Sequence, residues 1–166
     1  MAEATAKEVI AALTARGWKL ATAESCTAGL ISWAVTEEPG SSAVFDRGFV
    51  TYSNAAKTDM LGVPPEIIET HGAVSEEVAK DMAKGARMRS MAQIAVSVTG
   101  IAGPGGSEFK PEGRVCFGLS TADGKSHTET MEFGAIGRAN VRAKTTAHAM
   151  ALMVQACTQG LPFSHA

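Results

Sequence analysis

Residues 94–133 read IAVSVTGIAGPGGSEFKPEGRVCFGLSTADGKSHTETMEF. Ile94 to Val98 is an apolar run of the kind that fills a strand buried on both faces. Thr99 to Gly113 then carries five glycines and two prolines, a composition that interrupts regular structure. Val115 to Thr121 alternates in polarity and reads as a second strand. Asp123-Gly124 is a two-residue hairpin signal, because both residues tolerate the positive φ of a tight turn. A strand from about Ser126 to Phe133 is therefore expected to return antiparallel to its neighbour.

Upstream, the pattern alternates between strand and helix. Residues 3–16 read as a helix with Val9, Ile10 and Leu13 on one face and Gly17 as its left-handed stop. Trp18 to Ala23 is a strand candidate, and a helical run follows to about Glu37, ended by Pro39-Gly40. Gly48 to Tyr52 reads as another strand. Ser53-Asn54 can cap a helix to Leu61, with Gly62 as its stop. A short helix around Glu66–Glu69 precedes Ser75, which caps a helix to about Met91. Glu76 and Glu77 suit the positive end of that helix. Beyond the hairpin, an Ala-rich helix covers about Arg138–Gln159, and the last six residues are expected to fray. Strand–helix alternation followed by a hairpin gives an α/β layered fold with a mixed sheet. No repeat or linker divides it, so residues 1–166 are expected to form one domain.

Composition narrows the partners. Apolar residues make up 45% and charged residues 19% of the chain, a globular mix. Fifteen Lys+Arg stand against 17 Asp+Glu, whereas a general nucleic-acid or anionic-membrane surface wants a basic excess. Aromatics are only 5%, too few for base-stacking platforms. Cys26, Cys116 and Cys157 form no CxxC or Cys/His cluster, so neither a disulfide framework nor a zinc site is favoured. A reducing cytoplasm fits. No apolar run approaches the ~20 residues a membrane span needs, and the polar start Met1 to Lys7 does not read as a signal peptide.

Ligands of open α/β sheets gather beyond the carboxyl ends of strands. Three segments fit that position: Ala23 to Thr27, Thr51 to Lys57, and Thr99 to Gly106. Ser25 lies between a strand and a helix, where its hydroxyl could stand at a helix N-terminus that favours an anion; the plainer reading is an ordinary N-cap. Lys57 falls on the first turn of a helix, where the macrodipole disfavours a cation. A lysine placed there points to a counter-anion, or to a neutral amine serving as base for a serine; the plainer reading is a solvated lysine. The Thr99–Gly106 loop lacks the Gly-Lys-Ser/Thr ending and following helix of a phosphate-binding P-loop. It can still present successive N–H groups as an oxyanion hole or anion nest. Arg138 and Arg142, four apart near the start of the last helix, could hold a phosphate or form a solvated face. Cys26 is a rival nucleophile. His71, His127, His148 and His165 show no ligand spacing and read as structural or surface residues.

Five stretches together resemble the CinA C-terminal family, whose stand-alone members include nicotinamide-nucleotide amidases. They are Thr22 to Gly29, Gly48 to Asn54 with Lys57, His71 to Ser75, Ser97 to Pro104, and Lys110 to Gly113. The resemblance implies a three-layer α/β/α fold, usually oligomeric, so a homo-oligomer is expected. It also implies hydrolysis of the carboxamide of nicotinamide mononucleotide to nicotinic acid mononucleotide and ammonia, with no cofactor. The family's proposed Ser–Lys pair falls on Ser25 and Lys57. Tyr52, Thr99, Gly100 and Arg138 match other family site positions, and Arg142, Cys26 and Thr27 are taken as further substrate contacts. The additional N-terminal domain of many CinA proteins is not expected here.

The dyad reading requires Ser25 Oγ and Lys57 Nζ within hydrogen-bond reach, or joined by one water. Two rival classes are a pyridine-nucleotide-binding module without turnover and a phosphohydrolase. The latter would want carboxylates converging on a metal at the phosphate, and the three segments offer no such cluster.

Overall fold

The computed structural model describes residues 3–107 and 109–164; His165 lies outside them. The elements are α1 (Ala6–Arg16), β1 (Leu20–Glu24), α2 (Leu30–Thr36), β2 (Phe45–Val50), α3 (Asn54–Leu61), α4 (Pro65–His71), α5 (Glu76–Met88), β3 (Ile94–Gly100), β4 (Arg114–Thr121), β5 (Ser126–Glu132) and α6 (Arg138–Gln159). The sheet order is β2-β1-β3-β4-β5. β1 is parallel to β2 and to β3, while β4 and β5 are added antiparallel. The hairpin between them turns at Asp123-Gly124, where Gly124 has φ +84° and Thr121 Oγ1 donates to Asp123 Oδ1 at 2.5 Å.

Alternation along the strands divides two cores. Leu20, Ile94, Val96 and Val98 face α1, α2 and α6, where they meet Leu13, Ile31, Leu152 and Met153. Ala21, Ala23 and Ala95 face the other way, toward Leu61, Ile68, Val78 and Met82 of α3, α4 and α5. The result is three layers, with the sheet between two sets of helices. The second face is built from small residues, so helices approach closely there. Ser97 Oγ donates to Ala79 O at 2.5 Å. Gly85 has no room for a side chain, since a Cβ there would lie 2.0 Å from Leu61 O. That contact butts α5 against the end of α3, backbone to backbone.

The helix signals are local and work as local physics demands. Ser53 and Ser75 accept from Ala56 N and Val78 N, and Gly17 and Gly62 close α1 and α3 with φ of +65° and +71°. Three expectations need correction. β2 begins at Phe45 rather than Gly48 and ends at Val50, leaving Tyr52 in the connection to α3. α2 begins only at Leu30, so Ser25 is not its N-cap. The C-terminal residues are not frayed through Phe163: Leu161 and Phe163 are buried, and the Phe163 ring lies 4.3 Å from that of His127.

Candidate functional site

The carboxyl ends of β1, β2 and β3 bring the three chosen segments together. Ser25 follows Ala21 and Ala23 on the α3–α5 face and is buried. Its N–H donates to Val98 O of β3 at 3.1 Å, which fixes its height over the sheet. From the other side, Ser53 caps α3 and sets Lys57 four residues into it. Lys57 is only 1% exposed. Its Nζ lies 3.1 Å from Ser25 Oγ, 3.1 Å from Thr51 O and 3.2 Å from Tyr52 O. The pair is thus formed inside the protein, and Lys57 is no solvated surface lysine.

A cavity of about 300 Å³ opens on this pair, lined among others by Ser25, Cys26, Lys57, Thr99, Gly100 and Arg138. A larger hollow of about 820 Å³ adjoins it between α3, α4 and Phe109, sharing Asn54. The smaller one holds the chemistry, because Ser25 and Lys57 face it. Its roof is the Gly103–Gly106 loop. Glu112 fastens that loop by accepting from Gly105 N, and Lys110 Nζ ties its base to His71 O at 2.6 Å and Val74 O at 2.5 Å. Thr99 Oγ1 donates to Ala73 O at 2.8 Å, so Thr99 shapes the wall. At Gly100 a Cβ would lie 2.6 Å from Val115 Cγ2.

Tyr52 and Arg138 meet at the mouth. Arg138 donates to Tyr52 Oη at 2.8 Å and to Gly103 O at 2.8 Å, bridging the two rims. Tyr52 contributes its carbonyl to Lys57, while its exposed phenol serves Arg138. Arg142 and Thr27 do not line this cavity. Arg142 instead donates to Cys26 O at 3.0 Å and Thr27 O at 3.4 Å, so it holds the loop after Ser25. Thr27 is fully buried with its hydroxyl given to Glu24 at 2.6 Å. Cys26 lines the cavity, but burial pushes its thiol up to about 11, so it stays protonated and weakly nucleophilic near neutrality.

Sequence reasoning missed Glu24. The positive end of α2 is met by this buried carboxylate rather than by Ser25 or a bound anion: it accepts from Gly29 N, Ile31 N and Ser32 N at 3.2, 2.9 and 3.0 Å. The signal was an acid inside the otherwise apolar and small strand β1. The two remaining histidines of the core, His127 and His148, share Glu129 at 2.9 and 2.6 Å, away from the cavity. Among the described residues no group of three or more His, Cys, Asp or Glu could hold a metal, and no helix is long and apolar enough to cross a membrane.

Fold and site define an α/β/α protein with a serine and a lysine paired at the strand ends. Residues 2–157 match the model of the CinA C-terminal domain, and the chain belongs to that family. It is 55% identical over 127 residues to the nicotinamide-nucleotide amidohydrolase PncC of Enterobacter agglomerans, covering 76% of this chain and 77% of that protein. It is 51% identical over 152 residues to a CinA-like protein of Mycolicibacterium gilvum (strain PYR-GCK), covering 91% of this chain but only 36% of that longer protein. Among solved structures, competence/damage inducible protein CihA from Agrobacterium tumefaciens superposes with TM-score 0.88 at 50% identity, over 93% of both chains. A CinA superfamily protein from Klebsiella pneumoniae 700603 gives 0.88 at 36% identity, over 92% of this chain and 95% of that one.

Proposed function

We propose that this protein is an amidohydrolase that converts nicotinamide mononucleotide to nicotinic acid mononucleotide and ammonia. The observation that carries the reading is the buried approach of Lys57 Nζ to Ser25 Oγ, 3.1 Å, at the floor of a cavity. The similarity to an amidohydrolase of that name supports the substrate.

A neutral amine has two N–H bonds and one lone pair. If Lys57 donates both to the Thr51 and Tyr52 carbonyls, its lone pair remains for the Ser25 hydroxyl proton. Ser25 Oγ then attacks the carboxamide carbon as Lys57 takes that proton. The oxyanion needs a donor close to the nucleophile. The Cys26 N–H follows Ser25 directly in the chain, and Cys26 borders the cavity. The Cys26 N–H is therefore assigned that role. The Lys57 ammonium returns its proton to the departing amine, releasing ammonia. Water, deprotonated by the same lysine, hydrolyses the acyl-enzyme and restores Ser25. Arg138 at the mouth holds the phosphate of the nucleotide.

Incubation with nicotinamide mononucleotide, with ammonia release assayed with and without a chelator, tests this reading. Chelator-insensitive release that is lost in Ser25→Ala is expected. Binding without release would leave a binding module, and release of inorganic phosphate would indicate a phosphohydrolase; either outcome overturns the proposal.

A further inference from the structure

Glu24 directly precedes Ser25 and is fully buried, yet the reaction scheme above gives it nothing to do. Its carboxylate accepts five hydrogen bonds. Oε1 takes Thr27 Oγ1 at 2.6 Å, Ile31 N at 2.9 Å and Gly29 N at 3.2 Å. Oε2 takes Ser32 Oγ at 2.7 Å and Ser32 N at 3.0 Å. An ordinary N-cap places Ser, Thr, Asp or Asn immediately before the helix. Here that place belongs to Gly29, which has φ +104° and makes no side-chain cap. The capping group instead reaches over from the far side of the loop.

This arrangement gives the carboxylate two separable tasks. Toward α2 it satisfies the first N–H groups of the helix, a matter of stability. Toward the loop it grips Thr27, two residues beyond Ser25. Arg142 holds the same turn from outside through the Cys26 and Thr27 carbonyls. With the Cys26 and Thr27 carbonyls and the Thr27 hydroxyl all engaged, the turn that carries the Cys26 amide is held from both sides. We propose that Glu24 is a positioning residue: through Thr27 it holds the 25–29 turn so that the Cys26 N–H faces the carbonyl that Ser25 attacks. The inference rests on the Ser25–Lys57 amidase reading, and its test separates the two.

Glu24→Gln replaces one acceptor oxygen by a donor and disturbs both tasks at once. Two milder variants divide them. Thr27→Val keeps the shape and deletes the loop-side bond; Ser32→Ala deletes the helix-side hydroxyl. Thr27→Val should lower kcat about tenfold with KM for nicotinamide mononucleotide within about twofold, since small displacements of aligned groups are costly in rate. Thr27→Ser should restore kcat. Ser32→Ala should lower Tm and leave kcat within about twofold. A second reaction is independent of the nucleotide: phosphonylation of Ser25 by a fluorophosphonate, followed by intact mass. Ser25 Oγ bonds to phosphorus, fluoride leaves, Lys57 accepts the proton, and the phosphoryl oxygen occupies the oxyanion position. Thr27→Val should slow this labelling about tenfold as well. Wild-type labelling and turnover in Thr27→Val would overturn the role of Glu24, as would equal losses of kcat in Thr27→Val and Ser32→Ala that follow Tm. Wild-type protein that labels at Ser25 but releases no ammonia would overturn the amidase reading alone, and the labelling ratio would still decide Glu24.

Discussion

Lys57→Arg keeps a positive charge beside Ser25 and removes the capacity to give it up, because a guanidinium does not deprotonate in proteins. A positioned general base contributes about 10²–10⁴ in rate. The structure argues for the upper end. Lys57 is 1% exposed and its Nζ already lies within 3.1 Å of Ser25 Oγ, so the proton passes directly between the two. A loss of about 10⁴ in kcat corresponds to about 5.4 kcal/mol of barrier at 1.36 kcal/mol per tenfold. KM should stay within about threefold, since on the proposed reading Arg138, and not Lys57, takes the phosphate. The assay is steady-state ammonia release, with Lys57→Met as the uncharged control and Tm measured for both to verify folding. The two variants should be equally inactive, and the rise of kcat/KM with pH that a lysine base produces should vanish in both. Near-wild-type turnover in Lys57→Arg would refute the general-base role. A rate a hundredfold above Lys57→Met would show that the cation works by charge alone.

Arg138→Ala should raise KM about tenfold or more with little change in kcat, as loss of a charge-assisted bond to the ligand does; an unchanged KM would remove Arg138 from the phosphate. Cys26, its thiol raised to about 11 by burial, should resist iodoacetamide in the folded enzyme and react once unfolded, as read by peptide mapping. The stability that this neutral thiol contributes is complete below 9.0, its ordinary value, and fades as pH climbs toward about 11. Glu129 is held below its ordinary 4.5, first by its hydrogen bond from His148 and then by that from His127. A depressed carboxylate stabilises above its unfolded value and loses that contribution as pH falls through the folded one. Glu129→Gln should therefore lower Tm at pH values well above 4.5, and the gap to wild type should close in acid; a gap that is constant with pH would contradict this.

Sequence patterns revealed the elements whose causes are local. Ser53, Ser75, Gly17, Gly62 and Asp123-Gly124 act within a few residues of themselves, and each does in the structure what its chemistry requires. The strand-end position of Ser25 and the nearby Lys57 were legible for the same reason. What was not legible depends on distant chain. The hold of Arg142 on the loop after Ser25 was hidden because the Cys26 carbonyl that it meets lies 116 residues away. Ser25 looked like an N-cap because the true capping group, Glu24, sits on the opposite side of the loop. β2 was read late because Phe45–Arg47 mixes an aromatic with charges, as an edge strand with half-exposed residues does. Leu161 and Phe163 looked like tail until His127 provided a ring to rest against.

The bare contact between Gly85 and Leu61 acts as a mechanical stop. Leu61 is four residues beyond Lys57, one turn further along the same helix. The seating of α3 over the sheet is therefore registered by backbone against backbone rather than by the girth of any side chain. Exchanges among Ile68, Val78 and Met82 can redistribute volume in that layer without resetting the stop. One methyl group at residue 85 cannot be absorbed in the same way. It would intrude about 1 Å inside the closest approach that a Cβ makes to an oxygen, and α3 would have to lift. The lever arm of that lift ends at the 3.1 Å gap between Lys57 Nζ and Ser25 Oγ, so a residue with no functional group, on a helix that does not line the cavity, sets the working clearance of the pair.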